Sequence, residues 1–135
     1  MQRAFSALRA AFFSRSLRAA AFWTALAAVS FLSLMPHDRV DAAFSPDVQA
    51  CDKQFHAVAY VALAALHLAA FVRRGRVSWR LRAAVFALYS LLGGAFELAQ
   101  TLPAVNRSAS WSDAANDAVG AAAGAFLLPR LFLLP

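Results

Sequence analysis

Four apolar runs divide the chain, and short stretches between them carry most of its charged and polar residues. The runs cover approximately residues 19–35, 55–72, 83–102 and 114–134. Each is close to the length of about 17 to 25 residues with which an α-helix crosses about 30 Å of hydrocarbon. The pattern therefore predicts an all-α integral membrane protein, a bundle of four transmembrane helices with no separate soluble domain.

Polar residues at the ends of the runs set the predicted helix boundaries. Pro36 ends the first helix, because proline disrupts the hydrogen bonding of a continuing helix. Ser45, Pro46 and Asp47 supply a capping hydroxyl, a first-turn proline and a first-turn acid, so the second helix is predicted to extend at its outer end. Residues 110–113 form a similar start for the fourth helix. The predicted helices of the single domain, residues 1–135, span approximately residues 19–35, 46–72, 80–102 and 112–134.

Composition supports the membrane prediction. Of the 135 residues, 61% are hydrophobic and 15% are charged, and the mean hydropathy is +0.57. Soluble domains are closer to half apolar and about a quarter charged. The net charge of +6 does not indicate nucleic acid as a partner, because the arginines lie beside apolar runs and do not alternate with aromatic residues on one soluble face. Membrane lipids are the expected surroundings.

The basic residues predict the orientation of the bundle. The N-terminal tail and the second connection contain Arg3, Arg9, Arg15, Arg18, Arg73, Arg74, Arg76, Arg80 and Arg82. The first and third connections carry only Arg39, Lys53 and Arg107. By the positive-inside rule, both termini are predicted to be cytoplasmic, and the first and third connections face the outside of a bacterial inner membrane.

Two alternatives concern these terminal and basic segments. The arginines of the second connection could bind lipid headgroups in addition to fixing the topology. Residues 40–42, Val-Asp-Ala, resemble a small-residue cleavage site, so the first helix could belong to a cleaved signal peptide. The first apolar run is long for a signal core, and polar residues separate it from the cleavage-like site.

Three polar groups, distant in sequence, are predicted to meet at the outer face. They lie at the start of the second helix, at the end of the third, and in the connection to the fourth. Their members are Asp52, Lys53 and His56, then Glu97 and Gln100, then Arg107, Ser108, Ser110, Asp113 and Asn116. An acid at the centre of a membrane helix costs about 2.5 to 3.5 kcal/mol, so Glu97 should face the bundle and find a partner, either in a polar site or as a simple contact between helices.

Two further features of the helices are predicted to serve packing. His67 lies deep in the second helix without an acid nearby in sequence, and we expect it to make a hydrogen bond to another helix. Gly120 and Gly124 form a G-x-x-x-G motif that allows two helices to approach closely. Counting helical positions places Asp113 and Asn116 on the same stripe as these glycines.

The order of these motifs resembles that of the VanZ-like family. The resemblance begins at residues 33–36, Ser-Leu-Met-Pro, and continues through the fourth helix. It is carried by Asp52, Lys53, His56, Tyr60, Glu97, Gln100, Arg107, Ser108, Ser110, Asp113, Asn116, Gly120 and Gly124. The family is named for an accessory protein associated with teicoplanin resistance. The resemblance implies a small bacterial membrane protein of about four helices, and it adds Tyr60 to the candidate polar site.

Two classes of function are compatible with these residues. In the first, the extracytoplasmic polar site recognises a cell-envelope component, lipid-linked or related to peptidoglycan, with a role in envelope homeostasis or glycopeptide resistance. In the second, His56 oriented by Asp52, with Glu97 as an acid, serves a membrane-embedded hydrolase or transferase. The sequence contains no nucleophile elbow or zinc-ligand spacing, so the first class is favoured, with no cofactor or metal expected. The sequence leaves the oligomeric state undecided, and a homo-oligomer is one possibility. A proton-coupled carrier would have to be an oligomer, because it needs more than four helices.

Overall fold

The computed structural model describes residues 14–72 and 77–128, and this part of the chain contains helices and no strands. The first helix, α1, ends before two short helices, α2 and α3, that occupy the connection to the next long helix. Three more helices, α4, α5 and α6, complete the fold. Their bounds are Arg15–Ser33 for α1, His37–Ala43 for α2, Pro46–Gln49 for α3, Asp52–Phe71 for α4, Trp79–Gln100 for α5 and Trp111–Phe126 for α6.

Three of these helices, α1, α4 and α5, are long and apolar enough to cross a membrane. Helix α6 has 16 residues. The predicted continuation of the fourth span beyond residue 128 lies outside the described residues, as do the arginines at positions 73, 74 and 76. The structure therefore supports a helical membrane protein with three candidate spans.

Serine side chains cap the starts of three helices. The hydroxyls of Ser14, Ser78 and Ser110 accept hydrogen bonds from the backbone N–H groups three residues further on, at the starts of α1, α5 and α6. The predicted start of the fourth helix at Ser110 is confirmed. Residues 46–72 form two helices, because the chain turns at Ala50 and Cys51 between α3 and α4.

Long helices that are consecutive in the sequence run antiparallel. The ring centroid of Phe22 on α1 lies 5.1 Å from that of Phe71 at the far end of α4. On α5 and α6, the rings of Phe86 and Phe126 lie 6.4 Å apart. Helices α4 and α6 run parallel, because Gly120 lies against Ala57 and, one turn further along both helices, Gly124 lies against Val61. The start of α4, the end of α5 and the start of α6 therefore lie at the same end of the bundle.

Helices α4 and α6 approach closely along the two glycines of the G-x-x-x-G motif. A β-carbon at Gly120 would collide with the carbonyl oxygen of Ala57, and one at Gly124 would collide with the carbonyl oxygen of Val61. The predicted close packing at these glycines is confirmed. This packing sets the distance between α4 and α6. It therefore also positions the polar residues that lie one turn before Gly120 on α6.

An aromatic cluster fills the bundle at the end opposite to the polar residues. His67 Nδ1 lies 2.8 Å from the Tyr89 hydroxyl, so the predicted hydrogen bond of His67 to another helix is confirmed. The ring of Phe22 packs edge-on against those of His67 and Phe71. These contacts join α1, α4 and α5 below the candidate site.

The outer surface of the bundle carries large apolar side chains. Trp79 is 70% exposed at the start of α5, and Trp111 is 90% exposed at the start of α6. Because α5 and α6 are antiparallel, the two tryptophans lie at opposite ends of the bundle. Tryptophan is enriched at both membrane interfaces, so this placement agrees with a bundle that is surrounded by lipid.

Candidate functional site

The centre of the candidate site is a hydrogen bond between α4 and α6. His56 Nδ1 lies 2.8 Å from Asp117 Oδ1, and the side chains are 13% and 1% exposed. The other ring nitrogen, Nε2, lies 3.8 Å from Asp52 Oδ1, one turn earlier on α4. His56 is therefore held by a buried acid on one side and faces a partly exposed acid on the other.

Asp117 is the residue that sequence reasoning missed. Helical periodicity placed Asn116, three residues after Asp113, on the same face of the fourth helix as Asp113 and Gly120. The structure buries Asp117, at i+4, and leaves the Asn116 side chain to donate to the backbone oxygen of Ser112 on its own helix. A signal was present, because an ionisable residue inside an apolar helix is a candidate functional residue by itself.

Helix α5 makes room for the Asp117 side chain at a glycine. A β-carbon at Gly93 would lie 2.8 Å from the β-carbon of Asp117, which is closer than side chains tolerate. A β-carbon at the adjacent Gly94 would meet nothing within 4 Å. Gly93 therefore lets α5 pack directly over the carboxylate that holds His56.

Glu97 joins α5 to the start of α6. Its Oε2 accepts a hydrogen bond of 2.7 Å from the backbone N–H of Ser110, and the residue is 4% exposed. Within the part of the chain that the structure describes, Glu97 forms no salt bridge with Arg107 or Lys53, the cations nearest to it among the predicted polar residues. The buried carboxylate is partnered by the N-terminal end of a helix, where the backbone N–H groups are free and favour negative charge.

The connection between α5 and α6 folds back over the end of α5. The backbone N–H of Arg107 donates a hydrogen bond of 3.0 Å to the backbone carbonyl oxygen of Gln100. Asn106 adopts a positive φ of 53°, a conformation that asparagine tolerates better than most residues. The His37 N–H donates to the Val105 oxygen at 3.1 Å, so helix α2 is tied to this connection.

A polar cavity of about 420 Å³ opens between these segments. Asp52 from α4, Gln100 from α5 and Asp113 from α6 line it together with Arg107 from the connection. The other lining residues are His37, Val40, Gln49, Asn106, Ser108 and Ser110. Members of all three predicted polar groups therefore contribute to one cavity.

A second, largely apolar cavity of about 370 Å³ lies between α1 and α4, beside the short helices. Leu32, Phe44 and Val58 are among its apolar lining residues, and His56 and Tyr60 reach it from α4. Four residues line both cavities: Val40, Gln49, Asp52 and Arg107. An amphipathic molecule could therefore place its polar end in one cavity and its apolar part in the other.

The remaining predicted residues occupy different surroundings. Lys53 is exposed and lines neither cavity. Tyr60 is 1% exposed, and its hydroxyl has no hydrogen-bond partner among the residues that the structure describes. Ser108 is exposed at the polar cavity, and the Ser110 hydroxyl caps α6 and contacts that of Ser112 at 2.8 Å.

Two groups of side chains bring ligand atoms close enough to hold a metal ion, and both include His56. In one, atoms of Asp52, His56 and Asp113 lie within 4.8 Å of one another; in the other, the atoms belong to His56, Glu97 and Asp117. In the second group the short His56–Asp117 contact already uses a histidine nitrogen. The first group is open to the polar cavity through Asp52 and Asp113.

Comparisons of the chain with protein-family models, with curated proteins and with solved structures give no match. A function for the protein is therefore inferred from the geometry of these residues and cavities.

Proposed function

We propose that this protein is an envelope-binding membrane protein whose extracytoplasmic site takes an amphipathic molecule, with a polar headgroup in the polar cavity and a lipid chain in the apolar one. The observation that carries the proposal is that the two cavities share Asp52 and Arg107 among their lining residues. Ligand sites combine an apolar wall with a few polar groups that fix orientation, and the two neighbouring cavities together have both.

The polar lining indicates the chemistry of the headgroup. The Arg107 guanidinium is suited to a phosphate or carboxylate, because its fork of N–H groups can bind two oxygens at once. Asp52 and Asp113 offer carboxylate oxygens, which accept hydrogen bonds from hydroxyl or amide groups. A sugar phosphate provides both kinds of partner, so a lipid-linked precursor of the cell wall is the proposed class of ligand.

The apolar lining indicates the rest of the molecule. The part of this cavity away from Asp52 and Arg107 has a mostly apolar wall, which includes Val29, Leu32, Phe44, Phe55 and Val58. Each CH₂ group of a lipid chain buried there gains about 0.8 kcal/mol relative to water. A free sugar phosphate would leave this cavity unused, which is why we propose a lipid-linked ligand.

The resemblance to the VanZ-like family is part of this proposal, as is a bacterial inner-membrane location with both termini in the cytoplasm. With that orientation the two cavities open toward the outside of the membrane, where precursors of the cell wall are used. A role in envelope homeostasis or glycopeptide resistance would follow from binding such a precursor.

The test is to purify the full chain from membranes and identify the envelope lipids that accompany it by mass spectrometry. We expect a phosphate-containing lipid with the wild type and its loss with Arg107→Ala. Arg39→Ala is the matched control, because Arg39 is exposed and lines neither cavity. The same lipid profile for wild type and Arg107→Ala would contradict the proposal.

One observation favours an enzyme as the second candidate. The buried Asp117 carboxylate holds His56 at 2.8 Å and leaves Nε2 directed toward Asp52, an arrangement that suits a histidine acting as a general base. Glu97 lies in the same cluster and could act on the leaving group of a lipid-anchored substrate. Turnover of the accompanying lipid by the wild type and not by His56→Gln would replace the binding proposal with this one.

A further inference from the structure

Among the described residues, the carboxylates of the site have no lysine or arginine partner. Asp52, Glu97, Asp113 and Asp117 surround His56. Within residues 14–72 and 77–128, none of the four forms a salt bridge with a lysine or an arginine. Buried or half-buried carboxylates at the end of a membrane bundle are costly unless a positive charge compensates them, and one histidine cannot balance four acids.

We propose that Asp52, His56 and Asp113 bind a divalent first-row transition metal ion. The ligand atoms of these residues lie within 4.8 Å of one another. Around a zinc ion at about 2.0 to 2.2 Å from each ligand, neighbouring ligand atoms are about 3 to 4 Å apart, so only small side-chain movements are needed. Two carboxylates and a neutral imidazole together match the charge of a divalent cation.

Asp117 provides His56 with the second hydrogen bond that metal-bound histidines generally make. A metal-ligating histidine generally donates its other ring N–H to a carboxylate or carbonyl, which fixes the ring and its tautomer. The 2.8 Å contact between His56 Nδ1 and Asp117 leaves Nε2, which lies 3.8 Å from Asp52, as the coordinating atom. Asp117 is therefore a positioning residue in this proposal.

Gln100, beside the same carboxylates, has a buried amide without a partner in the described part of the chain. Gln100 is 2% exposed, it lines the same cavity as Asp52 and Asp113, and its Nε2 has almost no accessible surface and no hydrogen-bond partner among the described residues. A buried amide is rarely left without a partner, so a group that entered the cavity and reached this amide would satisfy it. Three protein ligands leave coordination positions on the metal for such an occupant.

The nature of the ligands selects the metal. Imidazole nitrogen suits zinc, copper, iron and nickel, whereas sites made only of oxygen suit magnesium and calcium. One histidine with two carboxylates therefore favours Zn²⁺ over Mg²⁺. Such a cation would also add positive charge for an anionic headgroup beside Asp52 and Asp113, but the metal proposal does not depend on that ligand and is tested with the metal alone.

The experiment measures Zn²⁺ binding to the purified, chelator-treated full chain by calorimetry. We expect one saturable site per chain, with the dissociation constant raised at least tenfold in Asp52→Asn and Asp113→Asn. Asp117→Asn should raise it about 10- to 100-fold through the loss of support for His56. Mg²⁺ should not compete at equal concentration.

Asp41→Asn is the matched control. Asp41 lies 3.5 Å from His37 in an exposed i,i+4 pair of the same composition as Asp52 and His56, and no third carboxylate joins it in a candidate group within the described part of the chain. Its variant should bind Zn²⁺ as the wild type does. Equal losses in Asp41→Asn and Asp113→Asn would overturn the proposal, because they would show adventitious surface binding.

X-ray absorption at the zinc edge of the loaded wild type gives a second measurement that needs no variant. We expect nitrogen and oxygen neighbours at about 2.0 to 2.2 Å with the outer scattering of one imidazole. A spectrum without imidazole scattering, or an absence of saturable binding, would overturn the site. Either result would leave the lipid profile of the protein unaffected, so failure of the metal site is distinguishable from failure of the proposed function.

Discussion

At the scale of single residues, the contact between His56 and Asp117 organises the site. Asp117 is buried between α4 and α5 at the point where Gly93 leaves space for it. Its hydrogen bond to His56 is the only side-chain hydrogen bond between α4 and α6 within the described residues. A buried carboxylate in this position couples the packing of three helices to the orientation of the histidine.

We predict that Asp117→Asn lowers the free energy of unfolding by about 1 kcal/mol, because a neutral amide oxygen replaces the carboxylate that holds His56, and hydrogen bonds to charged groups are about twice as strong as neutral ones. Thermal unfolding in detergent, followed by circular dichroism, checks this. Asp41→Asn, which alters an exposed aspartate paired with His37, should leave stability within about 0.5 kcal/mol of the wild type. Equal stability of Asp117→Asn and wild type would show that the charge of Asp117 contributes nothing to the His56 contact.

The sequence could predict most of the residues of the site but not this one. Positions i+3 and i+4 from Asp113 both continue a helical stripe, so periodicity alone does not separate Asn116 from Asp117. The choice depends on the direction from which α5 packs, and Gly93 determines how close it comes. Such a contact between helices that are distant in sequence has no local signature.

At the scale of elements, the parallel contact of α4 and α6 fixes the geometry of the site. This contact follows from the G-x-x-x-G motif, which the sequence did show. The short helices α2 and α3 were not predicted as separate elements. Helix α2 is held by the hydrogen bond from His37 to Val105, and that partner comes from the third connection, 68 positions along the chain, so no local pattern could reveal it.

We predict that Gly120→Ala destabilises the protein by about 1 to 3 kcal/mol, because its methyl group would meet the Ala57 carbonyl and force α4 and α6 apart. Gly94→Ala is the control on α5, where the added carbon meets nothing within 4 Å. That variant should be neutral or stabilising by up to about 1 kcal/mol, since alanine favours the helix. Unfolding in a series of denaturing detergent concentrations measures both, and an unchanged Gly120→Ala would refute the tight contact.

At the scale of the whole molecule, the antiparallel order of the long helices gathers the predicted polar groups at one end. The sequence supplied the three groups and their order, and the positive-inside rule supplied the orientation. The two neighbouring cavities could not be predicted, because they depend on where α1 and the short helices lie against α4. The orientation in the membrane stays a prediction.

Reporter fusions test that orientation. A reporter that is active only outside the cytoplasm should be active when fused after Ala43 or Ala104 and silent after Gly75, because the arginines on the N-terminal tail and second connection retain those segments in the cytoplasm. Activity after Gly75 would reverse the topology and place the cavities on the cytoplasmic side.

The proposed function depends above all on whether the two cavities form a single lipid-binding site. Native mass spectrometry of the purified protein with an added polyprenyl phosphate measures this. Ala59→Phe should fill the apolar cavity that Ala59 lines, and Ala95→Phe is the matched control because Ala95 is exposed on α5. We expect one bound lipid for the wild type and Ala95→Phe, and at least a tenfold weaker complex for Ala59→Phe. Equal binding by all three proteins would show that the apolar cavity takes no part in lipid binding.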